Sequence, residues 1–204
     1  MEKVNILYSI IIPHYNVPEL LQRCLNSIPN LPSFQIIIVD DCSDGKIVDF
    51  RCFPGMEREN VKCIFLKEKH GAGFARNLGL RYACGKWVLF ADADDYFNYC
   101  INDILDEYAA VDADLIFFNA NSYEVVYFDS YSVFSDTLVK TYNREDIFKK
   151  YVDTKDENVL RFMSHSVWGK MFLKNFLDEK NILCDETPAS NDVLFSGLAG
   201  LYAT

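Results

Sequence analysis

The chain has 204 residues, 20 of them basic and 30 acidic, and its formal net charge is -10. This charge argues against nucleic acid as a partner, because affinity for DNA or RNA rests on neutralising phosphates with Lys and Arg. No apolar run approaches the roughly 18 to 20 residues that span a bilayer, and the amino terminus lacks the pattern of a signal peptide. We therefore expect a cytoplasmic protein without a transmembrane segment. The seven cysteines are widely spaced, which predicts reduced thiols.

The apolar periodicity predicts alternating strands and helices. Apolar runs typical of buried strands lie at residues 6–12, 35–39, 61–66, 87–91 and 114–118. Helical patterns lie at residues 18–28, 73–84, 102–111 and 143–151, and a hairpin is predicted within residues 123–134. This alternation indicates a parallel sheet that is covered by helices on both faces.

Polar and acidic residues follow three of the predicted strands. They occupy residues 13–16 after the first strand, 40–44 after the second and 92–95 after the fourth. In a parallel sheet the ligand binds beyond the carboxyl ends of the strands. We therefore expect these three segments to contribute to one site.

The segment 92–95 holds three carboxylates, Asp92, Asp94 and Asp95, with no basic residue among them. Clustered carboxylates repel one another and lose hydration on burial, so a compensating cation is expected. Mg2+ or Mn2+ fits, because these ions take oxygen ligands and leave positions open for substrate phosphates. The alternative is that Asp95 caps the next helix and the other two carboxylates are solvated.

The polar motifs together resemble those of the nucleotide-sugar-dependent glycosyltransferases of family two, whose fold is called GT-A. The resemblance rests on residues 9–16, 39–45, 71–80 and 90–95, and more loosely on 166–172 and 191–195. It implies an α/β fold with three layers, α/β/α, around a mostly parallel central sheet. One domain would span residues 1–204, with a nucleotide-sugar-binding half at 1–97 and an acceptor-side half at 98–204. Family members commonly run longer, so we expect truncation at the carboxyl terminus.

The resemblance implies roles for residues after the first two strands. Pro13 and Tyr15 would line a pocket for the nucleotide base. Asp41 would contact the uracil or the ribose, and Asp44 would lie near the edge of the base. Asp40 and Asp41 could instead serve only the turn, because this segment favours turns on its own.

The resemblance also assigns residues to the sugar and diphosphate. Asp92 would face the ribose, Arg76 would lie near the nucleotide, and Asp94 would ligate the Mn2+ or Mg2+ that bridges the two donor phosphates. Arg76 could alternatively be a solvated helix residue. Gly71 and Gly73 do not form a dinucleotide loop, because the third glycine of that fingerprint is missing and the segment does not follow the first strand.

The family commonly places an acidic pair beside its acceptor and uses the aspartate as general base. Here that aspartate is Asp192, and Asn191 precedes it where a glutamate is usual. Asp192 or Ser190 could also cap the last helix. The two roles are compatible, because a helix amino terminus keeps a carboxylate ionised.

The predicted function is a metal-dependent, inverting glycosyltransferase. It would transfer a sugar from a nucleotide-diphosphate sugar, expected to be a UDP-sugar, to a saccharide or lipid-linked saccharide acceptor. Polysaccharide or cell-surface glycan biosynthesis is the expected process, with peripheral association at the inner face of the membrane. Two alternatives stay open: a non-catalytic nucleotide-sugar-binding module, and a sugar nucleotidyltransferase, which also uses carboxylate-held magnesium on an α/β sheet.

Overall fold

The computed structural model describes residues 5–118, 122–126, 137–142 and 144–204. The strands are β1 (Tyr8–His14), β2 (Phe34–Asp40), β3 (Val61–Phe65), β4 (Trp87–Phe90), β5 (Leu115–Phe117), β6 (Ser122–Val126), β7 (Thr137–Tyr142) and β8 (Lys170–Leu173). The helices are α1 (Pro18–Asn26), α2 (Ala72–Tyr82), α3 (Ile101–Tyr108), α4 (Arg144–Thr154), α5 (Asn158–Met163), α6 (Lys174–Glu179) and α7 (Val193–Tyr202).

Six strands form one sheet in the order β3-β2-β1-β4-β8-β5. The pairs β1–β2, β1–β4 and β2–β3 are parallel, whereas β8 runs antiparallel to both β4 and β5. The predicted mostly parallel central sheet is confirmed. β6 and β7 form a separate antiparallel pair.

Alternate residues of the central strands face opposite sides of the sheet, as the two-residue period of a strand requires. Ile10 and Ile12 pack with Leu25 of α1 in a core on one side. Ile11 packs with Phe195 of α7 in a second core on the other side. Each face of the sheet therefore carries its own apolar core, and the predicted three layers are confirmed.

Parallel pairing brings the carboxyl ends of the central strands together. In the β1–β2 ladder His14 lies opposite Asp40, and in the β1–β4 ladder Ile11 lies opposite Phe90. The residues that follow β1, β2 and β4 consequently emerge at the same edge of the sheet. We call this edge the carboxyl edge.

Several local features of the structure differ from the predicted elements. Strand β8 was not predicted, although it lies between β4 and β5 in the sheet. The predicted hairpin at 123–134 overlaps β6, but its partner strand begins at Thr137, and residues 127–136 lie outside the described residues. The helix predicted at 143–151 extends from Arg144 to Thr154, and residue 143 is likewise outside the described ranges.

Helix α2 packs on the sheet through an unexpected face. Phe74, Leu78 and Tyr82 recur at a spacing of four, but the buried face is mostly small or polar and includes Arg76 and Asn77. Tyr82 is 45% exposed. This polar inner face contacts the candidate site. In the described parts of the chain, no helix has both the length and the apolarity for crossing a bilayer.

Candidate active site

A buried polar network fixes the ends of β1 and β2. His14 Nδ1 lies 2.7 Å from Asp40 Oδ1, and the Ser43 hydroxyl donates to the same oxygen at 2.6 Å. The amide of Val17 donates to His14 Nε2 at 3.2 Å, so Nδ1 carries the proton and donates to Asp40. Burial raises the pKa of Asp40, but the hydrogen bonds from His14 and Ser43 outweigh it, and the net pKa is lowered. Asp40 is thus a buried anion that shapes the turn.

Asp41 anchors the loop that precedes α2. Its side chain is buried, and its two carboxylate oxygens accept hydrogen bonds from the amides of His70 at 2.7 Å and Gly71 at 2.8 Å. Gly71 has φ 92°, which a residue with a side chain rarely adopts. The structure thus shows a loop-anchoring contact of Asp41, while its contact with a nucleotide stays a prediction.

The predicted base-pocket residues lie together at the carboxyl edge. Pro13 is near the end of β1 and is half-buried, and Tyr15 follows it with its ring 41% exposed. The ammonium group of Lys69 lies 3.5 Å from the centre of that ring. Asp44 is exposed, and its amide donates to Asn16 Oδ1 at 2.8 Å, which ties the loops after β1 and β2 together. No motif in the sequence indicated Lys69.

The acidic turn after β4, residues 92–95, concentrates negative charge. Asp95 Oδ2 accepts a hydrogen bond from the amide of Asp92 at 3.2 Å. Burial, with added repulsion from Asp92 and then Asp94, raises the pKa of Asp95 to about 6. Helix α3 begins at Ile101, and Cys100 holds its N-cap position, so Asp95 does not cap it. The alternative that Asp95 caps the next helix is therefore wrong.

The acidic turn fits a divalent cation by its charge. Burial first, and then repulsion from Asp92 and Asp94, raises the pKa of Asp95, and a cation would relieve that repulsion. Asp94 is the exposed carboxylate of the turn, and the guanidinium of Arg23 donates to its backbone carbonyl. Among the described residues, no three His, Cys, Asp or Glu side chains converge as a complete metal centre. A cation here would need further oxygen ligands from substrate phosphates and water, as Mg2+ commonly does.

Arg76 links the acidic turn to the segment before α7. Its Nη2 donates to Asp92 Oδ1 at 2.5 Å, and its Nη1 donates to Asn191 Oδ1 at 2.6 Å. The side chain is buried, with the residue only 6% exposed, and Asp92 is half-buried. Arg76 is therefore not a solvated helix residue. Arg76 joins the predicted donor-side carboxylate to the predicted acceptor-side pair. Asn191, its partner in that pair, lies 115 positions further along the chain.

Asp192 holds the N-cap position of α7, but its side chain makes no capping hydrogen bond. Its backbone carbonyl accepts from the amide of Ser196 at 2.9 Å. The carboxylate of Asp192 is therefore not used for capping, and it directly follows the Asn191 that Arg76 holds. Ser190 adopts φ 55° and does not occupy the cap position.

This sheet order, with polar loops at the carboxyl edge and an acidic turn after β4, defines an α/β protein of the GT-A fold. The sequence model of glycosyl transferase family 2 matches residues 9–172. The chain belongs to glycosyl transferase family 2.

Two curated glycosyltransferases are similar to this chain in sequence, one over most of its length and one over about half. The glycosyltransferase GlyA of Streptococcus pneumoniae is 25% identical over 178 residues, which are 84% of this chain and 25% of GlyA. The poly(ribitol-phosphate) beta-N-acetylglucosaminyltransferase TarS of Staphylococcus aureus is 34% identical over 96 residues, 45% of this chain and 17% of TarS.

Solved structures show the same fold. Residues 1–349 of TarS in complex with UDP-GlcNAc match with a TM-score of 0.65 and 24% identity, over 98% of this chain and 54% of that one. A mannosyltransferase from Pyrobaculum calidifontis, in complex with GDP-Man and Mn2+, matches with a TM-score of 0.60 and 18% identity. The match covers 93% of this chain and 50% of the mannosyltransferase. The chain thus spans about half the length of these structures.

Proposed function

We propose that the chain carries the donor site and the base of a UDP-sugar-dependent glycosyltransferase of cell-surface glycan biosynthesis. The observation that carries the proposal is the buried Arg76 bridge, which connects Asp92 at 2.5 Å and Asn191 at 2.6 Å. Because of this bridge, only the side chain of Arg76 separates Asn191, the residue before Asp192, from the acidic turn. The UDP-GlcNAc complex of TarS supports a uridine donor.

The nucleotide would bind at the carboxyl edge. Pro13 and the exposed ring of Tyr15 would contact the base, and Asp41 and Asp44 would accept hydrogen bonds from the base or ribose. The loops that carry these residues are preorganised by Asp40 and by the pairing of Asp44 with Asn16. Preorganised loops bind with a smaller loss of conformational entropy. Asp92, paired with Arg76, would face the ribose.

Asp94 would hold Mn2+ or Mg2+ together with the donor phosphates, and the bound ion would supply charge neutralisation for the leaving diphosphate. The Mn2+ complex of the Pyrobaculum mannosyltransferase supports this assignment. The exposed side chain of Asp94 leaves room for ligands from the substrate. Asp95 would add to the negative field that attracts the cation, whereas the charge of Asp92 is paired with Arg76.

Asp192 would act as the general base. It accepts the proton of the acceptor hydroxyl while that oxygen bonds to the anomeric carbon, and the bond from this carbon to the donor phosphate breaks on the opposite side. The nucleoside diphosphate leaves with the bonding electrons, and one displacement inverts the configuration. The carboxylate of Asp192 makes no capping hydrogen bond at the start of α7, so it is available for this step.

The test is a titration of uridine, guanosine and thymidine diphosphate sugars with and without Mn2+, followed by product analysis. We expect a UDP-sugar to bind more tightly with Mn2+, and UDP to be released only as sugar reaches a saccharide or lipid-linked saccharide acceptor. Binding without transfer to any acceptor would indicate a binding module. Release of inorganic diphosphate from a nucleoside triphosphate would indicate a nucleotidyltransferase.

A further inference from the structure

The segment that carries Asp192 is docked on α2 by Arg76, which belongs to the predicted donor site, and by Asn77 and Gly73, which do not. We propose that Asn77 is a positioning residue for Asp192, and that it acts through the base segment, which we define as residues 184–192. This inference rests on the proposed function, because it concerns the placement of the base in that reaction. No role for Asn77 follows from the motif residues discussed above.

Asn77 pairs with both backbone groups of one residue in the base segment. Its Oδ1 accepts from the amide of Cys184 at 2.8 Å, and its Nδ2 donates to the carbonyl of Cys184 at 2.9 Å. Nδ2 also lies 3.2 Å from Glu186 Oε1. Asn77 is only 4% exposed. A side-chain amide offers both a donor and an acceptor, whereas a carboxylate offers only acceptors. This pairing therefore specifies an amide at position 77.

Gly73, one turn before Asn77 on α2, lets the base segment lie directly on the helix backbone. A Cβ at position 73 would be 1.9 Å from the carbonyl oxygen of Asp185 and 3.1 Å from Asn191 Cβ. No side chain fits there without a shift of that segment. The amide of Asp185 donates to the carbonyl of Asn191 at 2.9 Å, which closes the segment into a compact loop.

Three positions of α2 thus hold the base segment from one end to the other. Asn77 holds its start at Cys184, Gly73 accommodates its middle, and Arg76 holds Asn191 at 2.6 Å. Asp192 follows directly, so a shift of this loop moves its carboxylate relative to the donor. A displacement of about 1 Å costs on the order of 100-fold in rate when reacting groups must be aligned.

The test substitution is Asn77→Asp, which keeps the size of the side chain and removes the donor. At neutral pH the new carboxylate faces the carbonyl of Cys184 and the carboxylate of Glu186. We expect kcat to fall about 10- to 100-fold, because the base is displaced, while the Kd for UDP stays within about twofold of the wild-type value.

The pH dependence separates positioning from a general structural defect. A protonated Asp at position 77 donates through its hydroxyl and accepts through its other oxygen, so it reproduces the pairing of the amide. The ratio of variant kcat to wild-type kcat is therefore expected to rise as the pH falls. Division by the wild-type kcat removes the pH dependence that the two proteins share.

Two further variants complete the experiment. Gly73→Ala should lower kcat with little change in the Kd for UDP and without the pH-dependent recovery. Gly197→Ala is the matched control in α7, because a Cβ there meets no atom outside its own helix within 4 Å. It should leave both kcat and Kd unchanged. If Asn77→Asp does not fold, the kcat of Gly73→Ala tests the inference instead. A wild-type kcat in Gly73→Ala would overturn it.

Hydrogen exchange distinguishes failure of this inference from failure of the proposed function. The amides of Cys184 and Asp185 are bonded in the docked segment and should exchange faster in Asn77→Asp than in Gly197→Ala. If the wild type transfers no sugar, the proposed function fails and exchange still reports the docking. Unchanged exchange, unchanged kcat, or a parallel loss of kcat and UDP affinity in Asn77→Asp would overturn the role of Asn77.

Discussion

The donor side and the base segment are held in place by different kinds of interaction. At the carboxyl edge, backbone ladders set the positions of the loops, since the β1–β2 register places His14 opposite Asp40. The base segment lies outside the sheet, and side chains of α2 dock it. A ladder of many hydrogen bonds tolerates the loss of one side chain better than a loop held by a few contacts. Substitutions should therefore separate turnover from nucleotide binding.

The largest expected effect is that of Asp192→Asn in the base segment. Loss of a general base lowers kcat by about 100- to 10,000-fold, and the Kd for UDP should stay unchanged because we propose Asp192 as the base and not as a nucleotide contact. Steady-state kinetics and calorimetry measure the two quantities. Asp153→Asn, an exposed position of α4, is the control. Wild-type turnover in Asp192→Asn would mean that another group is the base.

On the donor side, Asp94→Asn should weaken the binding of the donor, the quantity that Asp192→Asn leaves unchanged. We expect affinity for the UDP-sugar in Mn2+ to fall about 10- to 100-fold, because an amide is a much weaker ligand than a carboxylate for a hard cation. With a chelator present, wild type and variant should bind alike. Calorimetric titrations with Mn2+ and with chelator provide the comparison, and Asp112→Asn, exposed after α3, is the control. An unchanged Mn2+ effect would contradict the metal assignment.

Asp40→Asn, in the buried network beneath the carboxyl edge, has the smallest expected effect on turnover. Its main effect should be on the free energy of unfolding. Asp40 accepts from His14 and twice from Ser43, so the variant should lose about 1–3 kcal/mol of unfolding free energy at pH 7. Its folded pKa is lowered, so this stabilisation is complete above the unfolded pKa of about 3.9 and is lost as pH falls through the folded pKa.

Denaturant unfolding at neutral and acidic pH measures this contribution. The difference between wild type and Asp40→Asn should shrink below about pH 4. Asp49→Asn is the exposed counterpart, because hydrogen bonds from Arg51 lower the pKa of Asp49 to about 2 at the surface. Its effect should be small and should weaken with salt. A constant difference for Asp40→Asn at all pH values would contradict the buried-anion assignment.

Sequence patterns predicted the elements whose signals are local. Long apolar runs identified β1 and β2, and the polar residues after them identified the carboxyl edge. Strand β8 has only four residues, and its burial depends on pairing with β4 and β5, which no local pattern reports. Tertiary context decides such short strands.

Within the candidate site, the sequence predicted which strand-end residues lie at the carboxyl edge, such as Pro13 and Asp92, and their roles stay predictions. The contacts between α2 and the base segment were not predictable, since buried Arg and Asn are exceptions to the usual distribution of polar residues. The apolar spacing on α2 suggested a different inner face. One signal could have indicated a polar docking face. Arg76 and Asn77 are adjacent on α2, between Gly73 and Gly79.

The most direct test of the central claim is a crystal structure of the full chain with a UDP-sugar and Mn2+. We expect the diphosphate beyond the carboxyl ends of β1 and β4 with Asp94 on the cation, and the Asp192 carboxylate on the side of the anomeric carbon opposite the diphosphate. The base segment should still be docked on Asn77. A nucleotide bound away from the carboxyl edge, or a carboxylate of Asp192 directed away from the sugar, would contradict the account.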